Sequence, residues 1–186
     1  MNSLILGLIL TFARTAPAPT ADPQRVSEIW SAANDRLATQ LDVWFDYGDF
    51  PKCIQLLKLQ TSLYPADYDI ATNLGWMQEN VENYDSALAT YTRFKDRNPS
   101  DPDNSLPVAD FYFRRKAYQK VTATLGTQIT KGSHANAFRI LAHAYERQGM
   151  LTDSKRIWER YLAMRPNDGA ARNNLTRVNK KLSAPK

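Results

Sequence analysis

The chain has 186 residues, 43% of them hydrophobic, and a formal net charge of +5, enough for one domain or one repeat array with a continuous apolar core. Its seven glycines are scattered, which excludes a phosphate-cradling glycine loop. The lone Cys53 excludes an internal disulfide, and His134 and His143, nine apart with no cysteine beside them, exclude a familiar zinc spacing.

Leu4 to Phe12 is a nearly unbroken apolar run, followed by Ala13, Ala16 and Ala18 among small residues and prolines. A run of about ten is too short for a bilayer, which needs about 20 residues. It has the pattern of a secretory leader, so residues 1–18 are expected to be cleaved and the protein to be periplasmic or secreted. No Lys or Arg precedes Leu4, so only the amino terminus supplies the positive charge; an uncleaved leader would leave the protein cytoplasmic. Residues 19–25 then form a linker. From Val26 a helix begins, with Val26, Ile29, Trp30, Ala33 and Leu37 at helical spacing.

The clearest stretch runs from Tyr68 to Asp101. It contains Asn73-Leu74-Gly75-Trp76, then Tyr84-Asp85-Ser86-Ala87, then Tyr91, Phe94 and Pro99. This reads as helix, turn, helix and stop: Gly75 and Ala87 permit close helix approach, Tyr91 and Phe94 fill between helices, and Pro99 cannot continue one. The same frame recurs. Residues 34–67 carry Tyr47-Gly48-Asp49-Phe50 at the turn, Cys53 as the small residue, Leu57 and Pro65. Residues 102–134 carry Tyr112, Tyr118 and Leu125, but Val121 replaces the small residue, and Lys131-Gly132-Ser133 is expected to break the helix where no proline does. One residue shorter, that unit gives way at Ala135 to a fourth (135–168) with Leu141-Ala142, Tyr145, Gly149, Ser154, Trp158, Tyr161 and Pro166. Residues 169–182 form one more amphipathic helix, rich in Arg, Lys and Asn, that would cap the array; 183–186 are a tail.

These residues at a 34-residue interval resemble the tetratricopeptide repeat, over roughly residues 34–182. The resemblance implies an all-α fold over 26–182, a right-handed superhelical solenoid of helix pairs with a C-terminal capping helix. It further implies that a stripe on the first helix of each pair lines a concave groove that binds a protein segment. Carried over position by position, the groove residues are Asp42, Phe45, Asp46, Asp69, Trp76, Asn80, Asp110, Phe113, Arg114, Arg139, His143 and Arg147. Phe45, Trp76 and Phe113 would form a row of aromatics there, with Trp76 the most accessible; exposed aromatics commonly anchor partners. The alternative is that they pack sideways between neighbouring first helices and are mostly buried. The expectation is of basic partner residues beside Asp42, Asp46, Asp69 and Asp110, and acidic ones beside Arg114, Arg139 and Arg147. The family's carboxylate clamp for acidic C-terminal tails is missing: Ala38, Asp42, Asp103 and Pro107 stand where Lys, Asn, Lys and Arg are required, and only Asn73 fits.

Charge is divided along the chain. Residues 1–110 hold eight Lys or Arg against fifteen Asp or Glu, whereas residues 111–186 hold sixteen against four. That division suits steering of a bipolar partner, self-association, or an acidic ligand at the basic end. No catalytic constellation, cofactor or metal site emerges, so the expected function is a non-enzymatic scaffold or adaptor with a protein or peptide partner. The alternative is RNA binding of the half-TPR type, which Ile157-Trp158-Glu159-Arg160-Tyr161 and the basic half resemble; the protein-binding form of the other units and the leader weigh against a nucleic-acid partner.

Overall fold

The computed structural model describes residues 22–184, which form nine helices and no strand. The expected leader at 1–18 and the end of the tail lie outside the described residues. The chain divides into two compact units, residues 1–40 and 41–186. The described part of the first is the bulk of α1 (Pro23–Asp46), a 24-residue helix without a buried residue, on which Val26, Ile29 and Trp30 are exposed. Among the described residues, no helix is long and apolar enough to cross a membrane.

In the second unit the helices follow as α2 (Phe50–Leu63), α3 (Tyr68–Asn80), α4 (Tyr84–Arg97), α5 (Leu106–Arg114), α6 (Tyr118–Leu125), α7 (Ala135–Arg147), α8 (Leu151–Met164) and α9 (Gly169–Leu182). From α2 onward each packs on the next, and α5 also packs on α7, the first helix of the following pair. Starts are set by side-chain caps: Asp49, Asp67, Asn83 and Asp168 each accept from a backbone N–H of the first turn, which would otherwise go unpaired. Pro65, Pro99 and Pro166 follow the ends of α2, α4 and α8, where a missing N–H and a fixed φ forbid another turn.

The turns within helix pairs repeat one conformation. Gly48, Glu82, Lys116 and Gly149 all have positive φ, +71, +59, +58 and +77°, at intervals of 34, 34 and 33 residues. A tetratricopeptide-like period is therefore written in the backbone as well as in the side chains.

The core is divided into three clusters. Cys53, Leu57, Leu74 and Met77 form one, with Leu41, Trp44 and Phe50 against it; Ala87, Tyr91, Val108 and Phe111 form another. The largest spans α5 to α9 and includes Phe138, Leu141 and Trp158, each wholly buried. Cys53 is wholly buried, as a small packing residue would be. At Gly75 the Tyr91 ring occupies the space of a side chain: a Cβ there would lie 2.1 Å from Tyr91 Cε1.

The third pair departs from the sequence expectation. Its helices are the shortest, nine and eight residues, and α6 stops at Leu125 rather than at Lys131-Gly132-Ser133. Gly126 sits at that stop, and glycine followed by β-branched Thr127 disfavours further helix. The following loop replaces the missing turns: Ile129 is buried, Arg160 Nη2 donates to the Ile129 carbonyl at 2.8 Å, and Ser133 Oγ donates to the Pro102 carbonyl at 3.1 Å. The first helix likewise starts late, at Leu106, because Asp103 spends its carboxylate on the His134 N–H at 2.7 Å.

Candidate functional site

A cleft of about 280 Å3 opens between α3 and α5. Thr72, Trp76, Asp110 and Arg114 line it from the first helices, Tyr91 reaches it from α4, and Asn136 reaches it from the start of α7. A second cleft lies on the other side of Trp76, lined by Asn80, Glu79, Tyr84, Arg114 and Arg115. The stripe residues of the second and third units are thus brought together, with Trp76 and Arg114 shared by both clefts.

Trp76 is 45% exposed and lies 5.9 Å from the Phe45 ring, tilted 38° to it; Phe45 is 39% exposed and 6.0 Å from the Phe50 ring. Two aromatic faces therefore stand open side by side. Phe113 is not a third: it packs edge-on against Tyr118 at 5.6 Å and joins the large C-terminal core. A row of three aromatics is reduced to a pair, because Phe113 packs on Tyr118 at the start of α6. Asp42, Asp46 and Asp69 are exposed and make no ion pair among the described residues. Their charge is open to a cation.

The basic residues of the stripe are differently placed. Arg114 is clamped between Asp110 of its own helix and Glu79 of α3, 2.5 Å from the Glu79 carboxylate. Arg115 Nη1 donates to the second Glu79 oxygen at 2.8 Å, and the Tyr91 hydroxyl donates to the first at 2.8 Å. Glu79 is consequently almost covered. Burial pushes its carboxyl upward, but hydrogen bonds from Arg115, Tyr91 and Arg114 more than offset this and hold it below its usual value. The Tyr91 hydroxyl is pushed well above its ordinary range, first by burial and then by Glu79. Arg115 also lies between two rings, 3.7 Å from the centre of Phe111 and 4.2 Å from that of Tyr84. This knot joins α3, α4 and α5 beneath the cleft.

At the C-terminal end the stripe is taken up by α9. Glu146 accepts from Arg177 Nη2 at 2.8 Å and from Lys181 Nζ at 2.8 Å; its side chain is only 7% exposed. Those bonds, Arg177 foremost, bring its pKa down to about 2 against the opposing effect of burial. His143 is not a solvated groove residue. Its ring lies 5.1 Å from that of Trp158, edge to face, with Nδ1 3.6 Å from Glu146, and burial lowers its pKa while Glu146 opposes that. Arg139 donates to Asp168 at 2.8 Å and to the Tyr161 hydroxyl at 3.2 Å. Of the residues expected to receive a partner's acids, Arg114 and Arg139 are thus held internally. Arg147 is exposed and makes no ion pair among the described residues. Glu79 lies on the same stripe of first-helix positions as Trp76 and Asn80, whereas Tyr91, which reaches the cleft from α4, lies outside it.

No family model and no curated protein matches the chain. Solved structures do. The first TPR of Spaghetti (RPAP3), bound to the HSP90 peptide SRMEEVD, is 24% identical over 62% of this chain and 92% of its own, with a TM-score of 0.55. The first TPR domain of the human RPAP3 protein gives 24% identity, 61% and 91% coverage, and a TM-score of 0.53. A MamA RS-1 double mutant is 14% identical over 80% of this chain and 84% of its own, with a TM-score of 0.61. The fold is that of a tetratricopeptide-type solenoid.

Proposed function

We propose that the protein is a non-enzymatic interaction scaffold that holds a segment of another protein along the groove at Phe45 and Trp76. The observation that carries this reading is the open aromatic pair beside a cleft, on helices that also carry the exposed Asp42, Asp46 and Asp69, which make no ion pair among the described residues. Large exposed apolar rings on a structured surface are a standing cost in water, and burying them against a partner recovers about 25 cal/mol per Å2. Asp42, Asp46 and Asp69 supply the complementary requirement: the segment carries an apolar side chain for the rings and Lys or Arg beside it. Its acidic groups do not pair with Arg114 or Arg139, because Glu79, Asp110 and Asp168 already hold those guanidiniums. The knot at Glu79 keeps α3 and α5 fixed, so binding spends little on ordering the receptor. The resemblance to a domain solved with a bound peptide supports the scaffold reading. The absent clamp residues exclude, for this chain, recognition of a tail through that clamp.

A randomised peptide library panned on the folded chain tests the proposal. Selected sequences should combine an aromatic or long aliphatic residue with neighbouring Lys or Arg. Trp76→Ala should then weaken the selected peptides at least about tenfold, a central-anchor loss, with helical content unchanged. Unaltered affinity in a folded Trp76→Ala variant would move the binding site off this groove. We further propose an extracytoplasmic location, supported by the apolar run Leu4–Phe12 and the alanines after it.

A further inference from the structure

Lys116, Lys120 and Arg147 converge on a cleft of about 510 Å3 between the α5–α6 and α7–α8 turns, away from Trp76. No carboxylate lines this cleft, and none of the three cations makes an ion pair among the described residues. Lys120 has only the face of Tyr112 near it, its Nζ 5.0 Å from the ring centre. Their neighbours are different. Arg139, Lys155, Arg156, Arg177 and Lys181 are each paired with a carboxylate of this chain. Three cations without an ion pair among the described residues thus gather where two turns meet.

The floor of the cleft is fixed. Gln148 Nε2 donates to the Tyr118 carbonyl at 3.2 Å, tying one turn to the other. Lys116 stands there at φ +58°, in the left-handed region that disfavours any residue with a Cβ. Gly48, Glu82 and Gly149 occupy the equivalent place in the other pairs, so the conformation belongs to the repeat. What is particular to this turn is that a lysine fills it, which puts a cation at the mouth of the cleft.

We propose that this cleft docks an acidic stretch of polypeptide, two or three carboxylates in succession. Two ammonium groups and one guanidinium match that charge, and the guanidinium can take a carboxylate through two parallel N–H bonds. A polypeptide suits the site better than a nucleic acid because the one aromatic ring that lines the cleft, Tyr118, already contacts Phe113, where base stacking would ask for a platform of open rings. Ala117 and Met150, the latter 44% exposed, supply apolar surface for side chains. The site is independent of the groove at Trp76, so either can fail without the other.

A fluorescein-labelled hexapeptide of alternating Glu and Asp is titrated with the full chain at low and rising salt, beside a Gln/Asn hexapeptide and a single-stranded RNA hexamer. The acidic peptide should bind, weaken as salt rises, and outcompete both controls. Lys116→Gly, Lys120→Gln and Arg147→Gln combined should reduce its affinity at least about tenfold, while Trp76→Ala leaves it unchanged. Lys116→Gly alone should reduce affinity about threefold without lowering the melting temperature, because it removes charge and strain together; it decides the matter if the triple variant fails to fold. No binding of the acidic peptide at low salt, or equal binding by the triple and Lys116→Gly variants, overturns the proposal. Tighter binding of RNA than of peptide, lost in the same variants, also overturns it and makes the occupant a nucleic acid.

Discussion

Gly75→Ala sets two effects of opposite sign against each other. In a helix interior, alanine is favoured over glycine by about 1 kcal/mol, so propensity alone makes this substitution stabilising. Here the new Cβ would lie 2.1 Å from Tyr91 Cε1 and 2.3 Å from Cζ, so the ring must move. Tyr91 is only 3% exposed and has little space to enter. Overpacking of this sort costs about 1–3 kcal/mol. Displacing the ring also breaks its 2.8 Å hydrogen bond to Glu79, and a bond to a charged acceptor contributes about 1.5–3 kcal/mol. The balance is a net loss of about 1.5–5 kcal/mol, or about 2–4 °C of melting temperature per kcal/mol at this chain length. Urea unfolding followed by circular dichroism and tryptophan fluorescence measures it. Pairing Gly75→Ala with Tyr91→Leu, in a double-mutant cycle, should recover part of the loss, since the two sites are in contact. A Gly75→Ala variant about 1 kcal/mol more stable than the parent would refute the close approach and leave propensity as the whole story.

Acid should release the capping helix before the rest of the chain. The Glu146 carboxyl has its folded pKa lowered from 4.5 to about 2, so its contribution is fully present above pH 4.5 and is lost as pH falls through about 2. Hydrogen exchange should show α9 losing protection as pH falls, and Glu146→Gln should reduce the pH dependence, the remainder belonging to the Asp168 carboxyl that caps α9 and is likewise held below its usual value. Asp46→Lys should slow association of a groove-binding peptide and flatten its salt dependence with little change in dissociation rate, as stopped-flow kinetics would record. Mature protein recovered from its native compartment should begin between Arg14 and Thr20; intact Met1 on soluble cytosolic protein would sink the export proposal.

The fold was legible because each helix pair announces itself through short-range chemistry. Proline ends helices, Asp and Asn cap them, and the small residue at Cys53, Ala87 and Ser154 falls at a steady interval. The early end of α6 was harder to read, since Gly126 ends a helix only when nothing packs beyond it to compensate. The candidate site was half legible. Helical spacing gave the stripe, and Phe45, Trp76, Asp110 and Arg114 do meet. What spacing could not give was which charges were already spent. Arg114 with Glu79, Arg177 with Glu146, and Arg139 with Asp168 pair across separations of 35, 31 and 29 residues, about one repeat. Opposite charges one period apart hint at such pairs, but only the rotation between successive helices decides whether the side chains reach. Lys116 and Lys120 escaped notice for a related reason: a turn and a second helix face the cleft, not the stripe of first helices.

The core of the second unit is divided, and its parts are unequal. Four buried residues make up the cluster around Cys53, four the cluster around Tyr91, and the remaining cluster extends across α5 to α9. In a chain of helices stabilised by neighbour-to-neighbour contacts, the free energy of opening varies along the array. A ribosome delivers this protein in the unfavourable order: the thinly cored helix pair emerges first and the well-cored one last. In the folded chain, hydrogen exchange should find the least protection in the thinly cored amino-terminal helices and the most in α7 and α8. The aromatic pair at Phe45 and Trp76 lies in the thinly cored region, so local opening there would disturb the proposed groove while the carboxyl-terminal helices stay folded.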